Sequence, residues 1–514
     1  MKIRIYDGAQ SIGGTKIYIG NEKNGLFLDF GLNFEKINKY FKNFIKIRDI
    51  RGLHDPIEMD LLPKINVYRK DLFTRDVHTT HWENVPLDAV LITHAHLDHY
   101  GMLGYVDFDV PVVASPETFA IIKAYQDMGQ SEIGKDVLFA PPREASKYDG
   151  LVLSTKRITK KEVGEGGKCE NLLMRELYTT YTPSDNFFNF MILQNGNKKA
   201  DCLKDNLKVH TNLDELPFSV KAYSVDHSIY GAVGYIIGTE TGNIVYTGDF
   251  RMHGANGAST EIFKAHAKNA HMLIVEGTRL NDELHARITE KDVLEKCAEV
   301  VENEKGLIIA DFSARNFERL KEFEDIAKKE GRVLVITEKD AYAIHGINTT
   351  KTKIPTDNLL VLDKLKGKKE GWMNALDSWN YKMIKAEEIK RNPENYILAF
   401  SLYDFPTLMD IKPKGGTYIY SSTEAFSEDM ELDFYLIWNW LKKYNIKSAG
   451  FTLKDGKLEF QRGFHASGHV HPQDLFKFID EVNPDIIIPV HTKHPEAFVK
   501  MYGDKIHTDY EFSQ

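Results

Sequence analysis

Residues 87–101 read LDAVLITHAHLDHYG. The apolar run of about six residues at its start predicts a strand, and it passes directly into a histidine-rich segment that must then sit on a loop at the strand's C-terminal end. His94, His96, Asp98 and His99 place four potential metal ligands within this loop. Where the chain is nearly extended, residues two apart project to similar sides. His94 with His96 can therefore grip one cation while Asp98 and His99 face a second. No packing or turn requirement asks for three histidines and an aspartate here.

A two-metal site needs more ligands, including a carboxylate able to bridge. Three further apolar runs each end in one: AYSVDH in His227, NIVYTGD in Asp249 and DIIIPVH in His491. Any one alone reads as a hydrogen-bonded loop residue. Together with the HAHLDH segment they fit cations roughly 3.5–4 Å apart sharing a water or hydroxide. The three cysteines (Cys169, Cys202, Cys297) are far apart and form no CxxC pair, so neither a disulfide framework nor a thiolate site is indicated.

Outward from this centre, KIRIYDG, TKIYIGN and GLFLDFG read as an opening meander of strands. Residues 34–85 read as an insertion, first helical through the amphipathic YFKNFIKI and then irregular around Pro56, Pro63 and Pro86. PVVASPETFAIIKAY predicts strand, turn and helix, with Ser115 or Pro116 at the helix start. The polar stretch 141–217 reads as hairpins and loops. Strands return at FSVKAYSVDH, VGYIIGTE, NIVYTGDF and HMLIVEG. From about 281 to 460, helices alternate with short buried strands, which predicts a parallel-sheet domain of its own.

With 514 residues, 42% hydrophobic and 27% charged, the chain is globular rather than disordered or fibrous. No apolar run approaches the roughly 18 residues that span a bilayer and no signal segment is evident, so a cytoplasmic location without membrane attachment is expected. The net charge of -9 (66 Lys plus Arg against 75 Asp plus Glu) argues against a general polyanion binder. Local basic clusters lie at 36–51 (Lys36, Lys39, Lys42, Lys46, Arg48, Arg51), 156–168 and 364–369. Each taken singly reads as a solvated face.

These motifs resemble the metallo-β-lactamase superfamily, whose αββα sandwich presents such a loop and such strand ends at one edge of paired sheets. After Asp249 come an inserted α/β region, then FHASGHVHP at 464–472 and PVHTKHPEAF at 489–498. That order resembles the β-CASP nucleases, in which a cap interrupts the core, and the HASGH and PVHT strings are most similar to the ribonuclease J branch. The resemblance implies a mixed α/β fold: a core at 1–284 carrying the 34–85 insertion, a cap at 285–460 and a core return at 461–514.

It also implies two Zn²⁺ ions per chain, one held by His94, His96 and His227, the other by Asp98, His99 and His491, with Asp249 bridging. Asp29, closing LFLDFG, matches the group's first acidic motif, which orients ligand histidines. Glu276 in IVEGTR and His469 in HASGH match its acidic and histidine motifs. A carboxylate holding a histidine fixes its tautomer and favours the charged form, so His469 is a candidate general acid. Similar strings in ribonuclease J-like enzymes hold substrate phosphates, which points to Ser467, Ser421, Ser422, Ser313, Arg315 and Asn316, although a helix cap explains SARN as well. His465 and His471 are weaker candidates, and His253, His271 and His494 read as local structure.

The implied activity is zinc-dependent hydrolysis of RNA phosphodiester bonds, with Asp98, His469 and Glu276 in the chemistry and single-stranded RNA as partner. The sequence leaves open exonuclease action from the 5′ end against internal cleavage, and whether the chain forms homo-oligomers. Rival readings are the same chemistry on DNA, a small-ester or thioester hydrolase, and an inert RNA-binding platform. The hydrolase leaves the inserted region without a use, and the platform is expected to have lost ligands that are all present here. Only 23 residues follow His491, from which no room is expected for the separate C-terminal domain of many bacterial ribonuclease J proteins.

Overall fold

In the computed structural model the opening meander forms three antiparallel strands, Lys2–Asp7, Lys16–Gly20 and Gly25–Leu28, whose alternating side chains face two different cores. The structure describes all residues except 43–44, 130–131, 156–171, 195–197, 200–205, 281–287, 423–427, 510 and 514. The meander joins Ala89–Leu91, Val112–Ala114, Leu177–Thr179 and Val209–His210 on one side and Glu511–Ser513 on the other, making an eight-stranded sheet. A second sheet of five strands runs Ser219–Ser224, Val233–Thr239, Gly242–Tyr246, Met272–Glu276 and Ile486–Val490.

Period-two alternation sorts these strands into layers. Ile17, Ile19, Leu26 and Leu28 pack with Tyr235, Ile237, Ile244 and Ile274 between the sheets. The other face of the first sheet, with Phe27, Val90 and Ile92, buries against the helix Pro116–Met128. The other face of the second buries Val245, Leu273 and Val275 against Gly257–His266 and Pro472–Val482 through Phe263, Phe478 and Ile479. Helix, sheet, sheet and helix give an αββα sandwich of mixed α/β class.

Met272–Glu276 and Ile486–Val490 are adjacent parallel neighbours, yet more than two hundred residues separate them. Most of that chain builds a seven-stranded, wholly parallel sheet, ordered Met383–Ile384, Leu359–Leu362, Val333–Ile336, Tyr396–Ala399, Leu307–Asp311, Gly416–Tyr420 and Ile446–Ala449. Its strands read as near-continuous apolar runs because both faces are covered. Leu307 and Ile309 enter one core and Ile308 and Ala310 another.

Some local expectations fail. The described residues of YFKNFIKI lie beyond the helix, which ends at Asn38, and Lys42 and Ile45 form an isolated antiparallel bridge; Asn43 and Phe44 lie outside the described residues. Phe41, Ile45 and Ile47 line a surface cavity. The stretch 141–217 does contain a hairpin, Arg143–Lys147 with Val152–Thr155, but it also supplies two strands of the main sheet and the helix Asp185–Met191. Short strands of two or three residues carry too little periodicity to be read. The basic cluster at 156–168, Cys169 and Cys202 lie outside the described residues.

Candidate metal centre

Strand ends gather the ligand-type residues at one edge of the sandwich. Ala89–Leu91 delivers His94 and His96 on its following loop, and the single helical turn Leu97–Tyr100 swings Asp98 and His99 inward. Gly31 makes this turn fit, since a Cβ there would lie 1.6 Å from the Asp98 carbonyl oxygen. His227 follows Ser219–Ser224, Asp249 follows Gly242–Tyr246 and His491 follows Ile486–Val490. Asp29 (φ 58°) and His491 (φ 50°) both adopt the left-handed backbone region. Such conformations cost energy in non-glycine residues and concentrate at functional sites.

Two clusters result. His94 Nε2, His96 Nδ1 and His227 Nε2 converge, with 3.0 Å between the first two and 3.2 Å between the last two. Beside them, His99 Nε2 lies 3.1 Å and His491 Nε2 3.8 Å from Asp249 Oδ2, and His491 Nε2 lies 3.3 Å from Asp98 Oδ2. Asp249 Oδ2 is also 3.8 Å from His94 Nε2, so this carboxylate stands between the clusters.

The surrounding hydrogen bonds fix which nitrogens carry protons. Thr93 Oγ1 donates to Asp29 Oδ2 at 2.9 Å and so accepts from His94 Nδ1 at 3.0 Å, leaving the His94 Nε2 lone pair bare. His227 Nδ1 donates to the Gly468 carbonyl (2.6 Å) and His99 Nδ1 to Asp29 Oδ2 (2.8 Å). Thr278 Oγ1 donates to Glu276 Oε2 (2.5 Å) and accepts from His491 Nδ1 (2.9 Å). His94 and His227 thus aim an unprotonated Nε2 at the first cluster, while His99 and His491 turn Nε2 toward Asp249 and Asp98; burial opposes charge on His99, but Asp249, Asp29 and Asp98 outweigh it and raise its pKa well above the ordinary histidine range. Tyr246 Oη and the Thr93 N–H complete the shell of Asp29, which is fully buried.

The electrostatics agree. Burial first, and the neighbouring imidazoles second, push His94 and His227 well below the ordinary histidine range, and burial takes His96 down to about 4. All three are neutral at pH 7, with lone pairs to offer. Burial works against ionisation of Asp98 and Asp249, yet the surrounding histidines hold both below the usual carboxylate range. Asp249 Oδ1 is buried and has no hydrogen-bond partner among the described residues. Converging lone pairs, ionised carboxylates and an orphaned oxygen are the surroundings a pair of divalent cations requires, so the residues present fit metal.

Glu276 and His469 meet on the same rim. Glu276 Oε1 accepts the Phe250 N–H at 2.8 Å, and Oε2 lies 2.8 Å from His469 Nδ1, itself 3.8 Å from Asp249 Oδ2. Burial opposes charge on His469, but Glu276 and Asp249 outweigh it and raise its pKa to about 9. Ser467 is adjacent, its Oγ accepting the His469 N–H at 3.1 Å.

The other phosphate-binding candidates are dispersed. Arg315 reaches the centre: it donates to the Ala95 carbonyl, between His94 and His96, and stacks 4.4 Å over Tyr125. Asn316 caps the helix Phe317–Lys329, accepting the Arg319 N–H at 2.9 Å. Ser421 is buried, donating to the Phe464 carbonyl (2.7 Å) and accepting from Arg319. Ser313 is exposed and Ser422 half-buried. His471 and His465 are enclosed, burial taking the latter to about 4. His271 pairs with Asp485, His494 with Glu496, and His253 with the Ser467 carbonyl. Sequence reading misses Thr93, Tyr246 and Thr278, because a hydroxyl's part in orienting a distant ring leaves no local pattern.

Residues 71–184 match the profile of the metallo-beta-lactamase superfamily. Over that segment the chain is similar to this superfamily. Several of the proteins that the chain resembles are named ribonuclease J, and the superfamily is metal-dependent. It is 24% identical over 324 residues to ribonuclease J of Mycoplasma pneumoniae, covering 59% of this chain and 51% of that one. It is 21% identical over 510 residues to ribonuclease J of Methanocaldococcus jannaschii, covering 96% and 91%. The chain spans about half the length of the first bacterial relatives it matches. A crystal structure of an Enterococcus faecalis protein of unknown function shares the fold at a TM-score of 0.65, with 21% identity over 99% of this chain and 96% of that one. Among the described residues, no helix is long and apolar enough to cross a membrane.

Proposed function

We propose that this chain is a metallo-β-lactamase superfamily ribonuclease that hydrolyses phosphodiester bonds of single-stranded RNA with two Zn²⁺ ions. In this reading residues 1–284 and 461–514 form the catalytic core and 285–460 the β-CASP cap. The observation that carries it is the Asp249 carboxylate, set between two ligand clusters and 3.8 Å from a histidine that a second carboxylate holds charged. An ester hydrolase leaves that Glu276 and His469 pair without a task.

His94, His96 and His227 would hold one ion, Asp98, His99 and His491 the other, and Asp249 both. When bound, the ions supply charge neutralisation at the phosphate oxygens and an activated water. Asp98, at the mouth of the second cluster, orients the attacking water in line with the bond to be broken. As the water oxygen bonds to phosphorus and releases a proton to solvent, the phosphorus–oxygen bond to the leaving group breaks and His469 gives the leaving oxygen a proton. Its Nδ1 is committed to Glu276, so the proton leaves from Nε2. Arg315 and Ser467 stand where they can orient phosphate oxygens.

The test is digestion of a 5′-monophosphorylated single-stranded RNA and its DNA counterpart, both labelled at the 3′ end, with and without chelator. Chelator-sensitive cleavage of RNA supports the reading, and single-nucleotide shortening from the 5′ end against internal fragments decides its mode. Preference for DNA, or no cleavage by zinc-loaded protein, overturns it.

A further inference from the structure

The parallel sheet carries a cavity that the hydrolytic reading does not use. Its adjacent strands Tyr396–Ala399 and Leu307–Asp311 send the chain in opposite directions, the first to Gly416–Tyr420 on one side and the second to Val333–Ile336 on the other. Open α/β sheets bind ligands at such a reversal, in the crevice outside the carboxyl ends of the strands. A cavity of about 460 Å³ lies there, lined by Ala310, Thr337 and Ala399, each at or just beyond the C-terminal end of a strand.

The lining names a class of ligand. Phe312, Phe400, Trp372 and Tyr403 supply aromatic rings, and that of Tyr403 is 88% exposed, so the fold gains little from its packing. Three lysines and four carboxylates share the wall, with Lys364 matched to Asp404 and Lys366 to Glu338. A wall so close to neutral, with an acid in excess, gives a phosphate no attraction and suits an uncharged planar group. Asp404 spends Oδ2 on the Ser401 N–H and hydroxyl and Oδ1 on Lys364. Asp340 Oδ2 takes both bonds from Thr337, the N–H at 2.9 Å and Oγ1 at 2.7 Å, which leaves Oδ1 uncommitted on the cavity wall. A carboxylate held this way is a fixed acceptor for the exocyclic amino group of a base stacked on the rings. Burial raises its pKa to about 6, so it is ionised at neutral pH. Tyr125, on the same wall, donates to the Ala314 carbonyl at 2.9 Å and lies 4.4 Å under the Arg315 guanidinium, which donates to the Ala95 carbonyl between His94 and His96. One side chain thus separates the cavity from the group that orients phosphate beside the first cluster.

We propose that this cavity receives a nucleobase of the substrate strand, one whose neighbouring phosphate Arg315 orients, and that Asp340 selects bases carrying an exocyclic amino group over uracil. The inference rests on the ribonuclease reading and adds to it a preference in base sequence.

The experiment measures binding of 3′-fluorescein oligocytidylate and oligouridylate of about eight nucleotides to the chelated full-length protein by anisotropy at neutral pH. Wild-type protein is expected to bind the cytidine strand about tenfold more tightly, the discrimination of one charged hydrogen bond to the amino group that uracil lacks. Asp340→Asn keeps a carbonyl oxygen for Thr337 and turns an amide N–H to the cavity. It should abolish or reverse that preference, whereas a merely structural defect would weaken both strands alike. Tyr403→Ala should weaken both strands by about fivefold or more, the loss of one stacked base. The zinc-loaded variants should hydrolyse bis(4-nitrophenyl) phosphate at the wild-type rate. Competition by free cytidine, absent in Asp340→Asn, supports the pocket and shows that it also admits loose nucleosides. Equal binding of the two strands by wild-type protein overturns the proposal, as does a cytidine preference that survives in Asp340→Asn or an unchanged affinity in Tyr403→Ala. RNA bound and cleaved with no preference between the bases defeats this proposal alone. If wild-type protein hydrolyses the small diester but neither binds nor cleaves RNA, the ribonuclease reading itself has failed.

Discussion

His469 Nδ1 and Glu276 Oε2 lie 2.8 Å apart, and the other oxygen of that carboxylate is tied to the Phe250 N–H one residue after Asp249. The carboxylate therefore fixes His469, the proposed proton donor, relative to the loop that carries Asp249. Replacing His469 with alanine removes the donor but no residue of either ligand cluster around His94 or His99. The expected outcome is retained zinc by metal analysis with RNA cleavage slowed roughly 10²–10⁴-fold, the usual contribution of a positioned acid. Glu276→Gln should leave a smaller defect and move the alkaline limb of the pH–rate profile to lower pH, because a neutral amide no longer favours the imidazolium.

Asp29 offers no ligand atom to either cluster, yet it accepts from Thr93, Tyr246 and His99. Asp29→Asn keeps the volume and loses the charge that fixes the His99 tautomer. Such supporting residues alter metal affinity by roughly 10–100-fold. Titration of the apoprotein with zinc should show that weakening for one of two ions. Wild-type affinity for both would remove Asp29 from this role.

The convergence of the HAHLDH segment with His227, Asp249 and His491 was legible because its signal is local: several ligand-type residues in one loop, or one such residue closing an apolar run. The sandwich and the parallel sheet were legible through periodicity, as in GLIIADF, where every side chain from Leu307 to Asp311 is buried on one face or the other. The phosphate-binding reading of Asn316 and Ser421 shows the limit. A cap and a buried hydroxyl have the same sequence appearance as an anion contact, and only the position of Arg319 separates them. Arg251 was likewise invisible. Its partners lie 25, 39 and 67 residues away, and no spacing announces them.

Arg251 is fully buried and ties Asp226, beside His227, to Glu290 and Glu318 on the helices Glu290–Asn303 and Phe317–Lys329. Arg319 contacts Glu290 in turn. Arg251→Met would leave three carboxylates around an uncharged side chain. Breaking a buried pair from one side costs about 3–5 kcal/mol, so the variant should melt markedly lower, and rescue by Glu318→Gln in the double variant would show that unpaired charge is the cause. A melting temperature equal to the wild type would mean that the network contributes nothing net.

Asp311 ends a central strand of the parallel sheet, where burial raises its pKa to about 7 against the help of Tyr418 Oη, which donates to it at 2.6 Å. An unfolded aspartate titrates near about 3.9, so between that value and about 7 the folded protein holds a proton that the unfolded chain has released. The sign follows: this residue's contribution to stability is fully present at the acid end of the window and declines as pH rises through it. Asp311→Asn fixes the protonated form's charge and should flatten that part of the curve. Thermal melts of both proteins at about pH 5 and about pH 7.5 measure it, and the loss of melting temperature on going to higher pH should be smaller in the variant. An identical loss in both would place the titrating group elsewhere, with Glu322, which burial raises to about 7 despite Arg319, the next residue to substitute.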